Sequence, residues 1–349
     1  MTAAVTTASS ARPATTGPVG RRRRSRRPQI ARLVARRLAI MVPILLVVSA
    51  MVFLLGAWSP FDPLAAYLGD RFQRTSLEQR EQIAQTLGFG EQWWRSWITW
   101  WTDIARGDLG HSRVYGQPVA DVLTERVPWT LLLSGVALVV AVIAGASLGL
   151  FAGLRPGSWF DRLCSGFALV VQAVPPFVLS LAVITVFAIG LGAFPAGGAT
   201  TPGQPATVTS VAEHLVLPAL VLAISQMPWF ILSVRSSVSD AMVSDAVRGA
   251  VTRGLPWRTV VRGHIAPVSL APLVTLIGAR LPEIVVGAVL VEAVFGWPGI
   301  AAAVVAAAKA LDFPLLAVLT LATTALVLVG SLLADVVYLL LDPRVSVDG

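Results

Sequence analysis

The chain has little charge for its length. Only 13% of its 349 residues are charged and 55% are hydrophobic, whereas soluble domains carry about a quarter charged residues. This shortage excludes an ordinary soluble protein. A bilayer-spanning helix needs about 20 mostly apolar residues. The stretches that qualify predict an all-α polytopic membrane protein with six transmembrane helices, at 38–58, 128–154, 163–192, 215–234, 268–292 and 314–341.

Cysteine and histidine are scarce as well. The single cysteine, Cys164, excludes a disulfide framework and a thiolate metal cluster. The three histidines, His111, His214 and His264, lie far apart in the sequence and none forms a ligand-spaced pair. We therefore predict no metal site.

Lysine is almost absent, since Lys309 is the only one. A phosphate-binding G-x-x-x-x-G-K-[ST] loop and an H-E-x-x-H motif are both missing, so any ATP that drives this protein must bind another chain. GASLG at 145–149 fits the nucleophile pattern G-x-S-x-G, but that motif needs a strand-turn-helix setting. Here it lies in a charge-free apolar stretch, and the four-residue spacing of Gly145, Gly149 and Gly153 predicts close helix packing instead. We predict no catalytic residue and no cofactor in this chain.

Arginine is distributed unevenly. The first 37 residues hold ten arginines, and no acidic residue precedes Asp62. Segments 155–162 and 235–263 also carry arginines, whereas 193–213 has none. Because loops near span ends collect arginine on the cytoplasmic side, both termini are predicted to be cytoplasmic.

These patterns divide the chain into three parts. Residues 1–37 form a basic tail that is predicted to be disordered, 38–127 the first span and a large outer loop, and 128–349 a five-helix core. The arginine run at 21–27 could bind nucleic acid or serve as a twin-arginine signal, but the long apolar stretch behind it favours an anchor that touches anionic lipid. Nucleic acid is not a predicted partner.

The outer loop contains five tryptophans at helical spacing, which together form one helix face. Such a face beside a membrane either lies at the headgroup level or packs on neighbouring spans. The alternative is a platform on which a ligand stacks. The five residues are Trp93, Trp94, Trp97, Trp100 and Trp101.

A polar segment at about 239–265 interrupts the apolar chain. Gly254 ends one short helix and Pro256 opens a second. Such a helical pair between spans four and five either docks on a soluble partner or is a solvated linker.

Two charges lie one helical turn apart in span five, namely Arg280 and Glu283. Charges inside a span are costly, so they either neutralise each other at a subunit interface or line a substrate path together with Glu292. Asp335 lies near the inner end of span six.

At this point the sequence resembles a known family, the permeases of binding-protein-dependent ABC importers. SDAVRGAVTRGL at 244–255, followed by RGHIAPVSLAPL, resembles their cytoplasmic loop. Further motifs resemble the dipeptide, oligopeptide and nickel branch, in the subunit type with a large loop after span one. They are WSPFDP (58–63), RGDLGHS (106–112), PVADVLTERVPWTL (118–131), LRPGSWFDRL (154–163), HLVLPAL (214–220), VEAVFGWPGI (291–300) and LLLDPR (339–344).

The resemblance implies that the loop is a coupling helix seated in a groove of an ATPase subunit. The matching positions are Asp245, Ala246, Arg248, Ala250 and Gly254, with the contact continued by Leu255, Pro256 and residues up to His264. Gly249 and Val251 depart from the family, which often has a hydroxyl and a basic residue there. Glu292 and Asp335 match family positions, whereas Arg280 and Glu283 replace small or polar residues.

The resemblance also implies partners and a place in the cell. The partners are a second homologous permease, two ABC ATPases that bind ATP and magnesium, an extracytoplasmic solute-binding protein and membrane lipid. The location is the bacterial plasma membrane. Di- and oligopeptides are the expected solutes, with nickel chelates or another small peptide-like solute as alternatives. A secondary transporter that works alone is the alternative from another class, although no internal repeat is found.

Overall fold

The computed structural model describes residues 26–59, 64, 68–86, 92–203 and 205–341, and most of these residues are helical. In chain order the helices are α1 (Arg26–Ala57), α2 (Leu77–Thr86), α3 (Trp93–Ala105), α4 (Val119–Gly153), α5 (Trp159–Ala173), α6 (Pro176–Val183), α7 (Val208–Met242), α8 (Asp245–Thr252), α9 (Trp257–Val260), α10 (Ala266–Phe295), α11 (Ile300–Lys309) and α12 (Phe313–Leu341). A 3₁₀ turn, Gly69–Arg74, precedes α2, and π-helical turns at Ile184–Gly190 and Val261–Ile265 extend α6 and α9. Two short antiparallel strands, β1 (His111–Ser112) and β2 (Gln117–Pro118), form a hairpin before α4.

Five of these helical segments are long and apolar enough to cross a membrane. They are Ile30–Ala57 in α1, α4, α7, the continuous run Trp257–Phe295 through α9 and α10, and Phe313–Val336 in α12. Helices α5 and α6 add a sixth candidate if the two are counted as one span. The predicted all-α membrane fold with six spans is therefore confirmed, with the third span broken.

The break in the third span was not predicted, because the sequence indicated one helix over 163–192. The axes of α5 and the α6 segment meet at an angle of 107°. Two consecutive prolines cause the bend. Val174 and Pro175 both have extended backbones, with ψ of 120° and 143°, and Pro176 opens α6. Proline lacks the N–H that a continuous helix requires and forces the residue before it out of the helical conformation.

Several helices also begin or end beyond the predicted boundaries. Helix α1 starts at Arg26, so the predicted disordered tail over 1–37 is wrong for residues 26–37. These residues continue the helix because long arginine side chains can lie along it and keep their charges in water. Residues 1–25 of that tail, and Arg344 in the C-terminal motif, lie outside the described part of the chain.

The helices run back and forth between two sides of the bundle. We call the side where α1 begins the near side and the opposite one the far side. On the near side Arg37 of α1 forms an ion pair with Asp335 of α12. On the far side the N–H of Gly198 donates to the carbonyl of Phe295 at the end of α10, at 2.8 Å. Helices α8 and α9 therefore lie on the near side and α11 on the far side.

Helix α7 is the centre of the core and packs most closely on α4. The α4 glycines predicted for helix packing all face it: a Cβ added to Gly149 would lie 2.5 Å from the carbonyl oxygen of Ile231, and one added to Gly145 or Gly153 would lie 2.7 Å from a side-chain Cβ of α7. Any larger residue would push the two helices apart, because the neighbouring atoms belong to backbone or to fully buried side chains.

The far-side segment between α1 and α4 is held by two contacts. The indole N–H groups of Trp97 and Trp101 donate to the hydroxyl of Ser49 in α1, at 2.9 and 3.1 Å. The Trp100 ring packs on Phe53, with centroids 5.4 Å apart. The tryptophan face of α3 thus packs on a neighbouring span, which was one of the predicted arrangements.

The second contact ties the β-hairpin to the corner between α11 and α12. The buried carboxylate of Asp312 accepts from the Ser112 hydroxyl at 2.9 Å and from the Arg113 N–H at 2.8 Å. Leu311, just before it, has a positive φ of 54°, which is rare for a residue with a side chain. No local pattern indicated this link, since the two partners are about 200 residues apart.

Candidate functional site

The near-side loop, residues Ser244–Ile265, joins α7 to α10 as two short helices. Helix α8 begins after Ser244, whose hydroxyl accepts from the N–H of Val247 in the usual N-cap arrangement. It ends before Gly254, as predicted, and the φ of 75° at this residue is the left-handed conformation that glycine adopts readily. The N–H of Leu255 then donates back to the carbonyl of Ala250, at 3.2 Å. This turn sets the direction in which the chain leaves α8.

Helix α8 has one buried and one exposed face. Val247 is 4% exposed and Ala250 is fully buried. They pack in an apolar cluster with residues from the near-side end of α7 and from α9 and its extension, namely Val234, Val238, Val260 and Ile265. The other positions are exposed, and they include Asp245, Ala246, Arg248, Gly249 and Val251. The helix is therefore fixed to the bundle by one side and free for a partner on the other.

The residues predicted for the coupling contact do not all lie on this free face. Asp245, Ala246 and Arg248 are exposed, as are Gly254 and Pro256. Leu255 and His264 are half-buried. Ala250 points into the bundle instead, because it lies one turn after Val247 on the inward face. Its side chain supports the loop from within and is not available to a partner.

An ion pair that sequence reasoning missed joins α7 to α5 on the same side of the bundle. Arg235, near the near-side end of α7, binds both carboxylate oxygens of Asp161 in the first turn of α5, with 2.8 Å between Nη2 and Oδ2. The backbone N–H of Gly157 donates to the same carboxylate at 2.8 Å. Asp161 is almost fully buried, whereas Arg235 keeps a third of its side chain exposed. The available signal was weak, because an arginine at the end of an apolar span can also reach the water interface without a partner.

Arg280 and Glu283 in α10 form an ion pair, as one of the two predictions for them proposed. Arg280 donates from Nη1 to Oε2 of Glu283. The guanidinium also stacks on the ring of Trp229 in α7, 3.7 Å from the ring centroid. The two side chains differ in solvent exposure, since that of Arg280 is 14% exposed and that of Glu283 is 54% exposed. Trp229 was not predicted as a partner, since nothing in its local sequence marks it.

Glu292 does not lie with this pair, and the prediction that it lines a substrate path or belongs to an ion pair is wrong. It is fully buried at the far-side end of α10, and among the described residues no cation pairs with it. Its Oε2 accepts from the N–H of Ala301 at 3.0 Å. A Cβ added to Gly299 would lie 2.2 Å from its carboxylate. Glu292 therefore holds the turn between α10 and α11.

Neighbouring contacts fix the same turn. Trp297 donates from its indole N–H to the carbonyl of Trp129 in α4, at 3.1 Å, and the two rings meet edge to face. The N–H of Ile300 donates to the hydroxyl of Thr130 at 3.0 Å. The turn within VEAVFGWPGI is thus a structural joint between α10, α11 and α4.

Chemistry-bearing groups are sparse elsewhere in the described residues. No group of three His, Cys, Asp or Glu residues in the described part of the chain could hold a metal ion. Ser147, the serine of GASLG, lies inside α4 and donates to the carbonyl of Ile143 one turn earlier, at 2.6 Å. It therefore sits in a helix and not in the strand-turn-helix setting of a nucleophile.

Comparison with known proteins finds one family and close relatives. Residues 145–347 match the family described as binding-protein-dependent transport system inner membrane component. The chain is 31% identical over 318 residues to the oligopeptide transport system permease protein AppB of Bacillus subtilis (strain 168), which covers 91% of this chain and 100% of that protein. A putative peptide permease of Brucella suis biovar 1 is 32% identical, with 89% and 98% covered. The probable D,D-dipeptide transport system permease protein DdpB of Escherichia coli (strain K12) is 31% identical, with 86% and 94% covered.

Proposed function

Because the chain belongs to the family of binding-protein-dependent transport system inner membrane components, we propose that it is a permease subunit of an ATP-driven importer of di- and oligopeptides. The observation that carries the substrate class is the similarity to proteins named as peptide permeases along 86% or more of this chain. The chain would form half of the translocation path, and a second homologous permease the other half.

The near-side loop supplies the physical basis for coupling. Its inward residues, Val247 and Ala250, fix α8 to the end of α7 and to α9 with its extension, while Asp245, Ala246 and Arg248 are exposed. A separate ATPase subunit that held the outward face would move α8 and the attached spans as one body. ATP and magnesium would bind to that partner, because this chain has no phosphate-binding loop.

Orientation and delivery complete the proposal. The near side would face the cytoplasm, since it carries the arginine-rich segments. A solute-binding protein would deliver peptide to the far side, where the segment between α1 and α4 lies.

The substrate proposal is tested by uptake of radiolabelled tri-alanine into proteoliposomes that contain the complete transporter, its binding protein and ATP. We expect ATP-dependent uptake that unlabelled dipeptides or oligopeptides compete away. Uptake of a nickel chelate without any peptide uptake would refute the peptide assignment. Transport by this chain alone, driven by an ion gradient, would refute the subunit assignment.

The coupling proposal is tested by cysteine crosslinking in the background Cys164→Ala, which leaves the chain without its one thiol. Val251, in the last turn of α8, is 52% exposed, whereas Val247 on the inward face of the same helix is 4% exposed. A cysteine at 251 should crosslink to the ATPase subunit, and one at 247 should not. Equal crosslinking from both positions, or none from 251, would refute docking through this face.

A further inference from the structure

The exposed carboxylate of Glu283 lies near the middle of a membrane-spanning helix. The exposed stripe of α10 to which it belongs contains Thr275, Ala279, Glu283 and Val286, each one turn from the next. An ionised side chain facing hydrocarbon is strongly unfavourable, and such residues face a water-filled cavity or a protein partner. This stripe is therefore not covered by lipid at Glu283.

The adjacent face of α7 is polar as well. Trp229, which contacts Arg280, is partly exposed. One turn before and one turn after it lie Ser225 and Ser233, both half-buried, and exposed Ser236 follows on the same face. Three hydroxyl groups and an indole along one face over this depth are unusual for a lipid-facing surface, where apolar side chains are expected. The two helices together place Ser225, Trp229, Ser233, Arg280 and Glu283 along one polar strip near the middle of the bundle.

Of the two charged side chains in this strip, only the Glu283 carboxylate is exposed. Arg280 is buried between the Trp229 ring and Glu283, so its guanidinium already has a π face and an anion as partners. Glu283 shares one oxygen with Arg280 and keeps more than half of its side chain exposed. A cation can approach this carboxylate, whereas an anion would meet the outward negative charge before it reached the guanidinium.

From this geometry we propose that Glu283, held by Arg280 and Trp229, is a binding subsite for an alkylammonium group in the aqueous translocation path. The inference rests on the proposed function and names the part of the solute that the permease recognises. The group is either the N-terminal ammonium of a peptide or the side-chain ammonium of a lysine residue. Arg280 is a positioning residue, because it fixes the carboxylate without touching the solute.

Water access and charge preference can be measured without any peptide. The variant is Ala279→Cys, one turn from Glu283, made in the Cys164→Ala chain and assembled into the complete transporter. Its cysteine is exposed to a cationic or an anionic methanethiosulfonate reagent, and the extent of modification is measured by mass spectrometry. A unit charge about 6 Å away in water changes the local concentration of a monovalent ion by about threefold. We expect labelling from water, and a cationic-to-anionic rate ratio that falls by about threefold or more on Glu283→Gln.

The matched control is Ile143→Cys on α4, a strongly exposed apolar position that should stay unlabelled in the same membranes. Labelling of 279 at the same slow rate as 143 would show that the strip is not aqueous. A rate ratio that does not change on Glu283→Gln would show that the carboxylate is not the accessible charge. Either result overturns the inference even if peptide transport is established.

The solute is then tested by uptake, with the binding protein unchanged, so that any altered preference comes from this chain. Glu283→Gln should reduce by about threefold or more the uptake of the peptide whose ammonium is bound, which is tri-alanine if the N-terminal ammonium binds, while Glu283→Asp should recover part of that uptake. If the N-terminal ammonium is the bound group, N-acetyl-Ala-Lys-Ala should be insensitive to the substitution. If the lysine ammonium is bound instead, that peptide should lose uptake while tri-alanine does not.

Two further outcomes would count against the subsite. The subsite is refuted if Glu283→Gln leaves the uptake of both peptides unchanged. It is also refuted if Glu283→Gln causes loss of the second permease from the purified complex, because Glu283 would then be an interface residue. Glu213→Gln, an exposed carboxylate elsewhere on α7, serves as the control and should leave uptake and assembly unchanged.

Discussion

At the scale of single residues, two glycines are required for different physical reasons. Gly254 has open space where a Cβ would lie, but its φ of 75° is disfavoured for residues with side chains. Gly299 has an ordinary backbone, but a Cβ there would collide with the carboxylate of Glu292. The first glycine is needed for conformation and the second for space.

Gly254→Val should misdirect α8, because a β-branched residue resists the left-handed conformation by at least about 1–2 kcal/mol. We expect the protein to insert and assemble but to lose transport and crosslinking from residue 251 to the ATPase. Gly254→Asn is the matched control and should keep much of the transport and of the crosslinking from residue 251, since asparagine tolerates this conformation. Normal transport by Gly254→Val would show that the loop is only a linker.

Gly299→Ala should lower the stability of the far-side joint by about 1–3 kcal/mol, as overpacking of a well-packed site does. The measurement is the apparent melting temperature of the purified protein in detergent. Adding Glu292→Ala removes the group that the new methyl would strike. The double substitution should therefore be less harmful than the sum of the two single ones, and strict additivity would contradict the clash.

At the scale of secondary-structure elements, ion pairs join helices that are distant in sequence. Asp161 and Arg235 connect α5 to α7 on the near side, and Arg37 and Asp335 connect α1 to α12. The first of these joins α5, the first half of the broken span, to the central helix α7. It is the better test, because its carboxylate is almost fully buried.

Removing only Arg235 should leave the buried Asp161 carboxylate without its cation, which costs more than removing both charges. We expect Arg235→Ala to be more destabilising than Asp161→Ala/Arg235→Ala. The double-mutant cycle should give an interaction of about 0.5–3 kcal/mol, measured by thermal unfolding in detergent. An interaction near zero would mean that the backbone contact to Gly157 alone satisfies Asp161.

At the scale of the whole molecule, the far-side segment and the near-side loop are at opposite ends of the same bundle. Asp312 fixes the β-hairpin at one end, and the apolar cluster around Val247 fixes α8 at the other. The helices between them, α7 and α10, carry both the coupling loop and the polar strip. A displacement of α8 would therefore move the strip as part of the same two helices.

This arrangement predicts which side each segment occupies. A reporter that is active only outside the cytoplasm should be inactive when fused after Gly349 and active when fused after Gly203, in the loop between α6 and α7. The arginine asymmetry gives the reason, since arginine-rich loops stay in the cytoplasm. Activity of the fusion after Gly349 would reverse the orientation and with it the side on which the ATPase must bind.

The sequence by itself determined the class of the protein and the identity of its loop. Apolar runs of sufficient length require helices in a bilayer, because the backbone has no other partner there. The same local reasoning located Gly254 and the glycine face of α4, since both depend on spacing and conformation within one element. The pairing of Arg280 with Glu283 was also accessible, because they are one turn apart.

Only the tertiary structure decided how distant elements meet. It placed Trp229 on Arg280, Asp161 on Arg235 and Asp312 on the β-hairpin, and each contact joins residues that are between 51 and about 200 positions apart. It also showed that Ala250 faces the bundle and that Glu292 is buried, neither of which local patterns predicted. The physical reason is that burial and the choice of ion partner depend on which helix faces pack together. Spacing along a single helix fixes its own faces but not the neighbour that each one meets.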